Sequence, residues 1–187
     1  MKRYIKIIDQ ISIKVGKSFA WCIVILCLGT CYEVIMAYVF NKPTLWNFDF
    51  SLQMYGAIFM MAGAFTLATE AHVRGDVFYR LMKPVKQAKL DLLLYIIFFF
   101  PGVLALTFYG FDYAASAWRV KETSWNSPAQ IQIYMAKSLI PLAGFFLTLQ
   151  GISEVMKCLL CIREEKWVER ETVSLETEQI LINKSNK

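Results

Sequence analysis

The stretch SFAWCIVILCLGTCYEVIMAYVF, Ser18 to Phe40, carries a single charged side chain, Glu33, in a run of apolar and small residues. A helix rising 1.5 Å per residue crosses a bilayer core of about 30 Å with roughly 20 such residues. The run is therefore long enough to span. It is also too long for the apolar region of a cleaved signal sequence, and no small-x-small cleavage box follows it. The expectation is an uncleaved signal-anchor helix. Just upstream, Tyr4 to Val15 places Ile5, Ile8, Ile11 and Val15 at helical spacing, with Lys6 and Lys14 elsewhere. That pattern predicts an amphipathic helix lying on the inner membrane surface.

Downstream, three more runs repeat the apolar signal: Ser51 to Thr69, about Leu92 to Ala117, and a span within Ile133 to Ile162. Gly56, Ala57, Gly63, Ala64 and Ala68 give the second run a stripe of small side chains, which in lipid lets helices approach closely. Pro101-Gly102 interrupts the third run and predicts a kink, because proline removes a helical hydrogen bond. Pro141 lies inside the fourth, where Gly144 and Gly151 share a face seven residues apart. The fold class expected is an all-α integral membrane protein of four transmembrane helices plus an N-terminal interfacial helix. Residues 1–162 would form one membrane domain and 163–187 a polar cytoplasmic tail.

Composition agrees. The chain is 57% hydrophobic, above the roughly 45–50% of soluble domains, and four spans with short connections leave no room for a separate soluble domain. The net charge of +5 does not imply nucleic-acid binding, because the basic residues flank apolar spans. They set orientation instead. The N-terminal segment holds Lys2, Arg3, Lys6, Lys14 and Lys17, and the middle loop Arg74, Arg80, Lys83, Lys86 and Lys89. The tail from Lys157 holds six: Lys157, Arg163, Lys166, Arg170, Lys184 and Lys187. The first outer loop holds only Lys42, and the second Arg119 and Lys121, with Lys137 close by. Both termini are expected in the cytoplasm, with loops 41–50 and 118–132 outside.

Little in the chain suggests catalysis. His72 is the only histidine, which excludes a bis-His haem or a His-rich metal site. No phosphate-cradling Gly-Lys-Ser/Thr motif occurs. No cofactor is expected. Cys158-x-x-Cys161 has redox spacing but no second pair to complete a site, and no cysteine falls in an outer loop, so no disulfide is expected. Glu33 is a carboxylate inside a span. It reads either as a proton or cation site of a small exporter, or as a structural group paired with Lys42, Arg119 or Lys137. Asp112 and Glu154, near the ends of their spans, read as solvated or paired, and Lys137 as reaching outward to the interface. Two segments stand out. Phe40-Asn41-Lys42-Pro43-Thr44-Leu45-Trp46 reads as a tight outer turn with Trp46 at the interface. Glu70-Ala71-His72-Val73-Arg74-Gly75-Asp76 lies where the second span emerges into the cytoplasm.

Taken together and in order, these segments resemble a family. Phe40-Asn41-x-Pro43-Thr44-x-Trp46 is followed by the small-residue second span and by His72-Val73-Arg74-x-Asp76. Then come Phe99 to Gly102, Glu122-Thr123-Ser124, Lys137-x3-Pro141 and Gln150-Gly151-x-Ser153-Glu154. From Ser18 to Lys157 the chain resembles the small, DctQ-like membrane subunit of tripartite ATP-independent periplasmic (TRAP) transporters. Gly75 departs from the pattern, standing where the family usually has a polar or β-branched residue. The resemblance implies a bacterial inner-membrane subunit that scaffolds a large DctM-like membrane subunit and helps dock a periplasmic binding protein. The complex would take up an organic anion, commonly a carboxylate, coupled to sodium. Glu33, Asn41, Pro43, Thr44, Trp46, Gly56, Gly63, His72, Arg74, Asp76, Arg119 and Lys121 would be partner or assembly residues, with membrane lipids as further partners. Two rival readings are a self-contained small transporter using Glu33 and an anchor subunit of an unrelated membrane complex.

Overall fold

The computed structural model describes residues 1–69, 82–126 and 128–167. Helix α1, Lys2–Ala20, and α2, Cys22–Tyr38, are separated only by Trp21, whose backbone stays right-handed helical. They form one long rod whose halves differ in chemistry. The α1 half is amphipathic, whereas α2 is apolar all round and buries no residue. After a turn comes α3, Asn47–Ala68. Helix α4, Pro84–Leu94, starts on a proline, whose fixed φ and missing N–H suit a first turn. A π-helical turn, Tyr95–Phe99, joins it to α5, Phe100–Val120. The short α6, Tyr134–Lys137, then leads into α7, Leu139–Glu164. No strand forms among the described residues; Thr123 and Gln132 make an isolated antiparallel bridge. Four stretches are long and apolar enough to cross a membrane: Lys2–Tyr38, Asn47–Ala68, Pro84–Val120 and Tyr134–Glu164. The protein is an all-α, multi-pass membrane protein.

Both prolines act where their chemistry dictates. Pro101 cannot donate to the carbonyl of Ile97, and its ring crowds that carbonyl. The backbone widens just upstream, where the Phe100 N–H reaches the Tyr95 carbonyl five residues back. The interruption expected at Pro101-Gly102 is thus a π turn inside one continuous rod. Pro141 deprives the Lys137 carbonyl of its donor, and α6 ends at Lys137. The Ser138 N–H spans the gap by dividing between the Tyr134 carbonyl four residues back and the Met135 carbonyl three back, at 3.3 and 3.2 Å.

The middle of the bundle is α7, which packs on α5, α3, α4 and α1. Gly144 abuts Thr107, and a Cβ on Gly151 would sit 2.5 Å from the Phe99 ring. On α5, a Cβ on Gly110 would come within 2.8 Å of Ile140. These contacts revise the expected role of the second span. Ala57, Ala64 and Ala68 of α3 are buried, but a Cβ on Gly56 would meet nothing within 4 Å, and one on Gly63 would make ordinary contact with Leu147. The tightest approaches use Gly16 of α1, which abuts Phe65 of α3, and the glycines of α5 and α7. The amphipathic α1 packs on α3 and α7. Its inward face is Ile5 and Ser12, while Ile11, expected on the same apolar stripe, is exposed.

Candidate assembly and docking site

Polar side chains gather at three places. The first is the turn between α2 and α3. Asn41 adopts a left-handed backbone (φ 51°), a conformation asparagine tolerates well, and the Lys42 N–H closes on the Met36 carbonyl. Pro43 follows, and Thr44 then donates its backbone N–H to both Glu33 carboxylate oxygens, at 3.1 and 3.3 Å. The Thr44 hydroxyl donates to the same carboxylate. Trp46 stacks on Tyr32 and meets Phe50 edge-on, with ring centroids 6.2 and 5.8 Å apart. Glu33 is therefore a clasp that ties the end of α2 to the following turn. The cations expected to pair with it do not; one of them, Lys137, binds Glu122 instead.

The second place is the loop between α5 and α6, which opens with Lys121 in a left-handed cap. Asp49, in the first turn of α3 and only 2% exposed, accepts a 2.6 Å bond from the Ser124 hydroxyl. The Ser124 oxygen also receives the Asn126 N–H, and the Ser124 N–H reaches Ile131. Gln53 donates to the Gln132 carbonyl. Lys137 does not reach outward as expected: its ammonium lies 2.5 Å from Glu122 and 4.2 Å above the Tyr113 ring. Trp118 donates to the Ser138 hydroxyl. Beneath this loop Gly56 opens an apolar groove of about 250 Å³, lined among others by Leu52, Met60, Tyr113 and Ile140.

The third place is internal. Lys157, counted above among the tail cations, is 1% exposed within α7. Its ammonium lies 2.7 Å from Glu154 and 2.8 Å from Asp9 of α1. The other Asp9 oxygen accepts bonds from Gln150 and Ser153 at 2.8 and 2.9 Å, and Ser12 donates to Gln150. Two carboxylates thus share one ammonium and two neutral donors, Gln150 and Ser153, and α1 is keyed to α7. Glu154 is paired and buried, not solvated at an interface. Asp9 and Ser12 escaped sequence reasoning, although a signal exists. Gln150, Ser153, Glu154 and Lys157 share one face of an apolar helix, and such a stripe must face protein rather than lipid. Asp9 and Ser12 supply the matching groups on α1.

Of the remaining candidates, Arg119 and Lys121 are exposed and Asp112 is exposed on α5. His72, Arg74 and Asp76 lie outside the described residues. Cys158 and Cys161 are buried beside Ala88 as small apolar groups. Among the described residues no cluster of three or more His, Cys, Asp or Glu side chains could hold a metal ion. Residues 26–161, well over half of the chain, match the family model described as tripartite ATP-independent periplasmic transporters, DctQ component. No curated protein matches the chain.

Proposed function

This chain belongs to the DctQ component family of tripartite ATP-independent periplasmic transporters, and from that premise we propose that it is the static scaffold of such a transporter. It holds a large membrane subunit in place and helps a periplasmic binding protein dock, for sodium-coupled uptake of an organic anion of the carboxylate type. The observation that carries this reading is the internal polar network: the carboxylates of Asp9 and Glu154 are both bonded to Lys157. A coupling site needs groups that exchange partners, and these are occupied. Glu33 is likewise engaged by Thr44, which favours a structural role over a self-contained transporter. The apolar surface of α2, unburied in the single chain, is available to lipid and to the large subunit.

The orientation proposed is N-in and C-in, in a bacterial inner membrane, following the distribution of Lys and Arg. His72, Arg74 and Asp76 then lie on the cytoplasmic side, where they anchor the chain to its large partner or to lipid headgroups. Purification tests the assignment. The tagged chain is expected to bring down a much larger membrane protein, and uptake in liposomes to need both together with the binding protein. Ion-coupled transport by this chain alone in liposomes would refute it.

A further inference from the structure

We infer that α1 carries a binding stripe for anionic phospholipid headgroups of the inner leaflet. The helix has three faces, each built at steps of three or four residues. Ile5, Asp9, Ser12 and Gly16 form the inward face, where Ile5 and Ser12 are buried, Asp9 is bonded to Lys157 and Gly16 abuts Phe65 of α3. Tyr4, Ile7 and Ile11 form an exposed apolar face. Arg3, Lys6, Gln10, Lys14 and Lys17 form the third face and are all exposed. Trp21, 70% exposed, continues it by a further step of four. At 1.5 Å per residue, the four cations run about 21 Å along one face with no acid among them.

Position and charge identify the ligand. Gly16 lies against the last turn of α3, and Lys2 reaches Glu164 at the end of α7. In the N-in orientation proposed above, α1 therefore runs beside the inner ends of both spans, at headgroup depth. No carboxylate among the described residues pairs with Arg3, Lys6, Lys14 or Lys17. The nearby acids are engaged, Asp9 and Glu154 by Lys157 and Glu164 by Lys2, while Glu165 is flanked in sequence by Arg163 and Lys166. The imbalance holds for the whole chain: sixteen Lys and Arg meet eleven Asp and Glu on the inner side, whereas four meet four on the outer. A phospholipid of net negative headgroup satisfies both exposed faces at once. Its phosphate takes the cations, and its acyl chains cover the apolar residues beside them. The lysine stems follow the helix to reach headgroup level, and Trp21 suits the interface. A zwitterionic headgroup brings its own cation and gains less.

The test uses the assembled membrane complex in phosphatidylcholine nanodiscs. These are doped with phosphatidylglycerol or phosphatidylcholine whose acyl chains carry bromine, which quenches nearby tryptophan. The Trp21 signal is the difference between the complex and its Trp21→Phe variant. Brominated phosphatidylglycerol is expected to half-quench Trp21 at a mole fraction at least about fivefold below that of brominated phosphatidylcholine, because each cation near an anionic surface is worth about that factor. Lys6→Gln with Lys14→Gln and Lys17→Gln is expected to abolish the preference, and arginine at the same three positions to keep it. Lys83→Gln with Lys86→Gln and Lys89→Gln removes as many exposed charges from the same side and is expected to leave the preference unchanged. Equal quenching by both lipids in the wild-type complex overturns the inference. So does a preference that survives the glutamine substitutions in α1, or one lost equally in the control. Quenching by neither lipid means that the large subunit covers the stripe, and the inference again fails. Both faces of a nanodisc carry the same lipid, so the outcome is independent of which side of the membrane holds the N-terminus.

Discussion

Replacing Lys157 by methionine keeps the length and apolar stem of the side chain and deletes only the ammonium. In the folded chain that ammonium lies 2.8 Å from Asp9 and 2.7 Å from Glu154, and Glu154 is 1% exposed. Without it, two carboxylates face each other across a dry helix contact. Breaking a buried pair in this way costs about 3–5 kcal/mol. For a chain of this size, that corresponds to a melting-point drop of about 6–20 °C. The assay is thermal unfolding of the purified chain in detergent, followed by near-UV circular dichroism. Lys42→Met, at an exposed position, serves as the control and is expected to change stability by less than about 1 kcal/mol. Adding Asp9→Asn and Glu154→Gln to Lys157→Met removes the orphaned charges and is expected to restore most of the loss, because a neutral, well-packed replacement of a buried ion pair is often tolerated. A Lys157→Met protein as stable as the control would refute the claim that this network keys α1 to α7.

Three further outcomes are expected. Glu33→Gln weakens the bonds from Thr44 and costs about 1–2 kcal/mol, lowering yield of the assembled complex while leaving ion stoichiometry unchanged; intact assembly with lost sodium dependence would reinstate Glu33 as a coupling site. In a variant with its native cysteines replaced, an impermeant maleimide added to intact cells labels cysteine at Asn126 or Lys42 but not at Lys86, all exposed positions; labelling at Lys86 would reverse the orientation. Arg74→Ala with Asp76→Ala lowers complex recovery and uptake together, without changing substrate affinity of the isolated binding protein; normal recovery and uptake would reduce that segment to a solvated helix end.

The spans were legible because twenty apolar residues in a row have few structural solutions. Their ends were less so. Helix α3 begins at Asn47 and includes Asp49, polar residues that read as loop until the bond from Ser124 to Asp49 across the bundle is known. Helix α4 begins at Pro84, eight residues before the apolar run expected from Leu92. The partner of Glu33 was misread for a related reason. Sequence favours opposite charge, whereas the compact turn at Asn41 brings a backbone N–H and a hydroxyl nearer than any cation. In the sequence Lys157 reads as a topology signal, because a lysine after an apolar run is usually interfacial. Its phase with Gln150, Ser153 and Glu154 carried the better information. Choosing which small residue meets which neighbour needs three-dimensional packing, so Gly56 and Gly144 look alike until the helices are placed.

The keyed contact between α1 and α7 has an electrical consequence. Moving one elementary charge across a membrane potential is worth about 2.3 kcal/mol per 100 mV, and a charge contributes only by the fraction of the field it traverses. Asp9 and Glu154 are each bonded to Lys157, at 2.8 and 2.7 Å, so the three move only as one group, and on the proposed scaffold reading that group stays fixed in the bilayer. This group of charges shapes the resting field without acting as a gating charge. On that reading, any voltage dependence of turnover would arise in the parts of the transporter that move, outside this group of charges.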